Sequence, residues 1–320
     1  MRSRTSRRPS DTFPFISKCY LPTIRYDIMR EPAVSGMFYP ATERKLKKEL
    51  AECFRKGPGR ERPEKGPRVP GVVSPHAGYV YSGPTAAFSF LKAADGGLPP
   101  TAVVIGPNHT GLGKDIGVSR EDFRTPLGVM RNDRDLSVEM GHHDELSHLR
   151  EHSMEVQLPF LQYLSPGMEQ VCISMGRRGP SGDGSTEDEI TLQQAEEVSG
   201  MILDALSATG KHVLVVASSD FTHCGWNYGH PVPPGMNAGE FARSVDLPVI
   251  DRLLEGDLEG ALSRKRELGA TPCGMGPILA MMMTVMKLGD GRPELLDYRT
   301  SYDVSPSHSA VGYASIAYIS

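Results

Sequence analysis

The stretch from Val213 to His223, VLVVASSDFTH, constrains this chain more than any other. Its opening run of β-branched and aliphatic residues has no polar face to offer water, so it predicts a strand buried on both sides of a sheet. The run then turns small and polar and carries a carboxylate, Asp220, and an imidazole, His223. A buried parallel strand that breaks in this way delivers its polar groups to a crevice at the carboxyl edge of the sheet, where α/β proteins bind ligands. Two other stretches repeat the design. GVVSPHAGY (Gly71–Tyr79) leads into His76, and AVVIGPNHT (Ala102–Thr110) leads into Asn108 and His109. Three strand ends are therefore expected to bring His76, His109, Asp220 and His223 together.

Between these strands the apolar spacing switches to that of helices. ATERKLKKELAECFRK (Ala41–Lys56) sets Leu46, Leu50, Cys53 and Phe54 on one face, with Thr42 as the expected N-cap. Further helices are expected over Gly83–Ala94, Glu151–Leu164, Thr191–Ala208, Leu247–Leu254 and Leu258–Leu268, and over Pro277–Leu288 as an apolar, Met-rich core helix. Gln170–Gly176 reads as another buried strand, and two strands close the chain around Leu295–Thr300 and Val311–Ile319. This alternation predicts an α/β layered sandwich, a largely parallel or mixed sheet with helices on both faces. Residues 29–320 are expected to form a single domain. Residues 1–28, made of Arg, Ser, Thr and Pro without periodicity, read as a disordered extension. Arg177–Glu189 reads as a mobile polar loop, and Gly57–Pro70 as a Gly/Pro/charge linker.

Composition narrows the function classes. A net charge of −4 gives no reason to expect nucleic acid or an anionic membrane as partner. No apolar run approaches the roughly 20 residues of a spanning helix. The five cysteines are dispersed and form no CxxC pair, which argues against a disulfide framework or a structural zinc finger. A reducing, cytoplasmic setting fits best, and the basic N-terminus lacks the apolar core of a signal peptide.

The residues that could carry chemistry each have a plain structural alternative. His76 and His109 sit in turns stiffened by Pro75 and Pro107, which suits imidazoles that must hold a ligand; a lone histidine is otherwise a hydrogen-bonded structural residue. Asp220 and His223 could act as a general acid/base pair, or Asp220 could cap a turn. Cys273, in TPCGMGP just ahead of a helix, is placed for thiolate stabilisation by the helix N-terminus and for metal ligation. Cys224 is the rival thiol. His152 and Glu155, at i and i+3 of an expected helix, read as a buried hydrogen-bonded pair or as ligands. His142, His143 and His148 read as solvent-exposed, and Met281–Met283 as core.

Seven segments carry a resemblance: REPAVSGMFYP, SPHAGYVYSG, GPNHTG, EHSMEVQLPFLQYL, SSDFTHCG, PCGMGPI and SAVGYAS. In this order they are similar to the Memo family, whose archaeal and bacterial members are called AmmeMemoRadiSam system protein B. The resemblance implies a fold like that of the class III extradiol dioxygenases. It implies His76, His109 and Cys273 as metal ligands, with Asp220 and His223 as the catalytic residues beside them. Cysteine replaces the dioxygenases' carboxylate ligand, so ring cleavage does not follow, and a softer metal, copper or iron, is implied. Redox or oxygenase-like activity, a small-molecule or peptide ligand and a link to a radical SAM protein are further implications. The alternative is a binding module that uses the old cleft for a peptide or protein.

Overall fold

Along the central strands of the computed structural model, successive side chains enter two different cores. Val213, Val215 and Ala217 face one apolar cluster and Leu214 and Val216 the other; Val103 and Ile105 are likewise separated from Ala102 and Val104. Period-2 alternation in a strand that is apolar throughout has this consequence: both faces of the sheet must be covered. The structure describes residues 29–176, 187–289 and 291–320, without the side chains of 187–190. The expected disordered extension, residues 1–28, lies outside the described residues, as does most of the expected mobile loop.

In chain order the elements are β1 (Met29–Arg30), α1 (Glu43–Lys56), β2 (Gly71–Ser74), α2 (Tyr79–Asp95), β3 (Thr101–Pro107), β4 (Ile116–Val118), β5 (Asp122–Thr125) and β6 (Gly128–Met130). They continue with α3 (Arg134–Met140), α4 (Leu158–Leu164), β7 (Glu169–Met175), α5 (Glu187–Thr209), β8 (Val213–Ser218) and β9 (His223–Gly225). The last are α6 (Ala238–Leu254), α7 (Leu258–Leu268), α8 (Met275–Leu288), β10 (Arg292–Thr300), α9 (Ser301–Val304) and β11 (Ser309–Ile319). The main sheet runs β10-β11-β2-β8-β3-β7-β4, and a small sheet runs β1-β5-β6. Strands β2, β8, β3 and β7 are mutually parallel, whereas β10, β11 and β4 add antiparallel edges. The architecture is thus the expected α/β layered sandwich on a mixed sheet.

One core face carries α5, α6, α7 and α8; the other carries α1, α2 and α4. Phe160 of α4 packs among Phe54, Tyr79 and Phe90 with ring centroids 4.8 to 5.8 Å apart. Met281 and Met282 are buried in the opposite cluster, as core residues.

Local differences from the sequence reading have identifiable causes. Helix α2 begins at Tyr79 rather than Gly83, because the Gly78 carbonyl already accepts from Tyr81 and Ser82 and Pro84 is accommodated inside the helix. The Thr42 side chain makes no capping bond. Helix α6 starts at Ala238, nine residues ahead of expectation, on a capping box formed by Asn237 and Glu240. The segment 151–164 is not one helix: Glu151 to Met154 form a turn, a short 3-10 segment covers Glu155–Gln157, and the α-helix begins at Leu158. His148, expected at the surface, is 1% exposed, with Nε2 hydrogen-bonded to the Gly117 carbonyl.

Ile202 of α5 is fully buried in the core face opposite α4. Ile202→Ala is expected to cost about 2–5 kcal/mol, read as a lowered midpoint in urea with an unchanged slope.

Candidate metal centre

Strands β2, β8 and β3 are adjacent and parallel, so the turns after them open at the same edge of the sheet. They carry His76, then Asp220 and His223, then His109. A fourth segment joins them, the turn before α4. Close approach of that turn requires Gly106, since a Cβ there would collide with Ser153 and Met154. The result is a group of three imidazoles, His76, His109 and His152, each offering one ring nitrogen, all within 4.8 Å of one another. Their ring centroids are 4.6 to 5.4 Å apart.

Hydrogen bonds decide which nitrogens are left to bind. The Ser218 hydroxyl donates to the Ser153 carbonyl at 2.6 Å, an atom that only accepts. Ser218 Oγ therefore accepts from His76 Nδ1 at 2.9 Å, and the lone pair of His76 lies on Nε2. Glu151 makes the same choice for His109. Its carboxylate lies 2.9 Å from His109 Nδ1 and also accepts from the backbone amides of His109, His152 and Ser153. An ionised carboxylate only accepts, so His109 Nδ1 carries the proton and Nε2 is free. His152 Nδ1 stands 3.4 Å from the same carboxylate.

Electrostatics keep His76 and His152 neutral. Burial, then the neighbouring imidazoles, pushes His76 well below the ordinary imidazole value. Burial brings His152 down to about 4. For Glu151 burial works upward, but the His109 hydrogen bond and charge, the Ser153 amide and the His152 charge outweigh it and hold the carboxyl at about 2. A carboxylate serving free-lone-pair imidazoles is what a metal-ligating histidine needs behind it. The donor set therefore fits a transition metal ion.

Cys273 lies beside this group, its Sγ 3.2 Å from His76 Nε2. Its thiol is not poised as the helix-terminus argument expects. Helix α8 begins two residues later, and the sulfur faces His76 and the Asp220 carbonyl. Burial and then the Asp220 charge push the thiol pKa up, so the thiolate would need a cation to form. The rival Cys224 is buried and bonds to the Ala238 carbonyl within the core. Asp220 Oδ1 accepts from the His76 backbone amide at 2.8 Å. Burial raises its carboxyl pKa, while the His223 charge and the His76 and Ala77 amides pull it down. Asp220 thus holds the His76 turn and acts on His223 through charge. The His223 ring packs edge-on against Tyr228 at 5.1 Å, on the wall of a cavity of about 540 Å³ that His76, His109 and His152 also line. Cys273 and His109 line a second cavity, of about 380 Å³.

A profile of Memo-like proteins matches residues 30–317. The chain belongs to the Memo family. A MEMO1 family protein of Methanosarcina acetivorans is 42% identical over 298 residues, covering 90% of this chain and 98% of the relative. Those of Methanopyrus kandleri and Pyrococcus abyssi are each 38% identical, over 305 and 300 residues, covering 90% of this chain and 98% and 99% of the relatives.

His152, a possible ligand on its sequence alone, joins the group, whereas Glu151 is not among the sequence's candidates. Glu151, buried, opens the expected helix, and its only sequence signal is its place directly before His152. His152 and Glu155 do not form the expected pair, because His152 sits in the turn and Glu155 bonds to Arg30.

The neutral histidines generate a pH dependence. Folded-state values for His76, His148 and His152 are depressed by burial, the last two to about 4. The unfolded chain therefore takes up protons first as pH falls, and their contribution is full above roughly 6.5 and lost on the way down to about 4. Glu151 adds a term present above its ordinary value and lost as pH falls toward about 2. Thermal melts of the metal-free chain should show a level midpoint above roughly pH 6.5 and a steady decline below it. A midpoint unchanged down to roughly pH 4 would contradict the buried, neutral assignment.

Proposed function

We propose that this Memo-family chain holds a redox-active metal ion, iron or copper, at His76, His109 and Cys273, with His152 facing the same ion. The observation that carries this reading is the convergence of three imidazoles within 4.8 Å of one another, with the Nδ1 protons of His76 and His109 already committed to Ser218 and Glu151. Imidazole and thiolate together favour softer first-row metals over magnesium or calcium. When bound, such an ion would supply redox chemistry and a Lewis-acidic position for O₂ or an organic substrate. The chain's own residues would do the rest. Phe38, Tyr228 and Tyr313 wall the larger cavity, where they would exclude water and orient a small substrate. His223, on that wall, would accept or donate a proton at its ring. This is the layout of an oxygenase-like site, and kinship with the class III extradiol dioxygenases in fold belongs to the same proposal. Four described thiols, Cys53, Cys172, Cys224 and Cys273, are unpaired, in keeping with a reducing cytoplasm.

A second reading rests on the rim of the cavity. Met37, Val80 and Trp226 are 73%, 65% and 89% exposed, and Met37 and Val80 neighbour the cavity-lining Phe38 and Tyr81 in the chain. Such a rim suits a peptide or protein partner, a radical SAM protein among them, bound without turnover. Partner capture that is unchanged after metal stripping would favour it.

The deciding experiment is elemental analysis of chain purified anaerobically without added metal. About one iron or copper per chain is expected, from one ion at the one site. His109→Ala should lose it, and Cys273→Ser and His152→Ala should each bind more weakly by roughly tenfold or more. Full metal content in both His109→Ala and Cys273→Ser would refute the assignment.

A further inference from the structure

The turn 148–154, which carries Glu151 and His152, contains no regular helix or strand to hold it. It is held from outside by Arg30. The backbone of Arg30 is fixed by pairing of β1 with β5, and its guanidinium lies 4.8 Å over the Phe123 ring. From there its N–H groups fan out to three acceptors along the turn. Nε donates to the His148 carbonyl at 2.7 Å, Nη2 to the Glu151 carbonyl at 2.5 Å, and Nη1 to the Glu155 carboxylate at 2.6 Å. The pair is sealed, with side chains 2% and 0% exposed.

Glu155 works in the opposite direction. Its two oxygens accept from the amides of Ala33 and Val34 and from the Tyr39 hydroxyl, stapling segment 30–39 onto the turn. That segment carries Phe38, whose ring meets the His152 ring edge-on at 4.9 Å and lines the larger cavity. The Phe38 carbonyl in turn accepts from the Tyr79 amide, three residues after His76. One buried ion pair thus holds the turn that carries His152 and Glu151, the carboxylate behind His109, and the segment that carries Phe38. Apolar residues of equal volume would leave the carbonyls of His148 and Glu151 and the amides of Ala33 and Val34 without these partners.

We infer that Arg30 and Glu155 are positioning residues of the metal centre, a clamp that sets Glu151 and His152 against His109 and brings Phe38 over the site. Neither touches the ion. The inference rests on the metal-binding reading for its consequence, but the clamp itself can be read in the metal-free chain.

The test uses the full chain with Arg30→Lys, which keeps the buried charge and loses the planar fork, and with Tyr39→Phe, which removes a single donor to Glu155. The first readout is the ring ¹⁵N spectrum of the histidines without metal. Wild type should show His109 protonated at Nδ1, and Arg30→Lys a mixture of tautomers. The second readout is affinity for Co(II), measured by competition with a chelator. Arg30→Lys should weaken it about tenfold, as loss of outer support does at metal sites, and Tyr39→Phe by less. Ile202→Ala, destabilised but remote, should bind as wild type does. In a Glu151→Gln background Arg30→Lys should add little, because both act through the same carboxylate. An unchanged His109 tautomer in Arg30→Lys would overturn the clamp, as would wild-type Co(II) affinity there or a fully additive loss with Glu151→Gln. Wild type that binds no Co(II), yet shows the tautomer shift, would overturn the metal reading and leave the clamp standing.

Discussion

Parallel pairing of β2, β8 and β3 is the constraint on which the rest of the molecule depends. Strands that run in parallel side by side finish at one edge, so whatever follows them is gathered there without any further device. Their registers place Ser74 against Ser218 and Ile105 against Ala217, and the turns that follow carry His76, Asp220 and His109. Helices on both faces are the necessary counterpart, because strands apolar on both sides cannot leave either side wet. The two apolar clusters flanking the sheet meet that demand.

Gathering imidazoles at one edge does not by itself make a binding site. A histidine presents a lone pair to a ligand only if its other nitrogen has a defined partner. Here the partners are Ser218, whose own proton is committed to Ser153, and Glu151, whose carboxylate is loaded with donors and stays ionised. Burial adds the second condition by keeping the His76 and His152 rings uncharged. The Arg30–Glu155 pair then braces the turn that carries Glu151 and His152. Fold, tautomer and charge state are therefore consequences of a single layered arrangement, with each shell fixing the one inside it.

The elements that were easiest to read were those with a strong local pattern. β8 and α7 stand where their residues place them, and β7 and α1 do so within a residue or two. His76, His109, Asp220 and His223 were recognisable because each follows a run that could only be a buried strand. The start of α6 was not, since its first turn is set by the Asn237–Glu240 box and by packing rather than by an apolar stripe. Nor was the break at residues 151–157. EHSMEVQLPFLQYL has helical spacing throughout, but the Glu151 carboxylate takes the amides of His152 and Ser153, and Arg30 takes the carbonyls of His148 and Glu151. The local bonds to Glu151 and the long-range bonds from Arg30 together outbid the helix.

The same division separates what each level decided. The sequence by itself determined the layered α/β class, the strand ends that carry the chemistry and, through seven ordered motifs, the family, because these depend on local hydrophobic pattern and on residue identity. Only the tertiary structure decided that His152 joins His76 and His109, that Cys224 turns into the core while Cys273 faces the site, that His148 is buried and that Glu151 and Arg30 stand behind the cluster. Each of these depends on which distant backbone and side-chain groups meet in space, across separations such as the 125 residues between Arg30 and Glu155, and no local pattern encodes such a meeting.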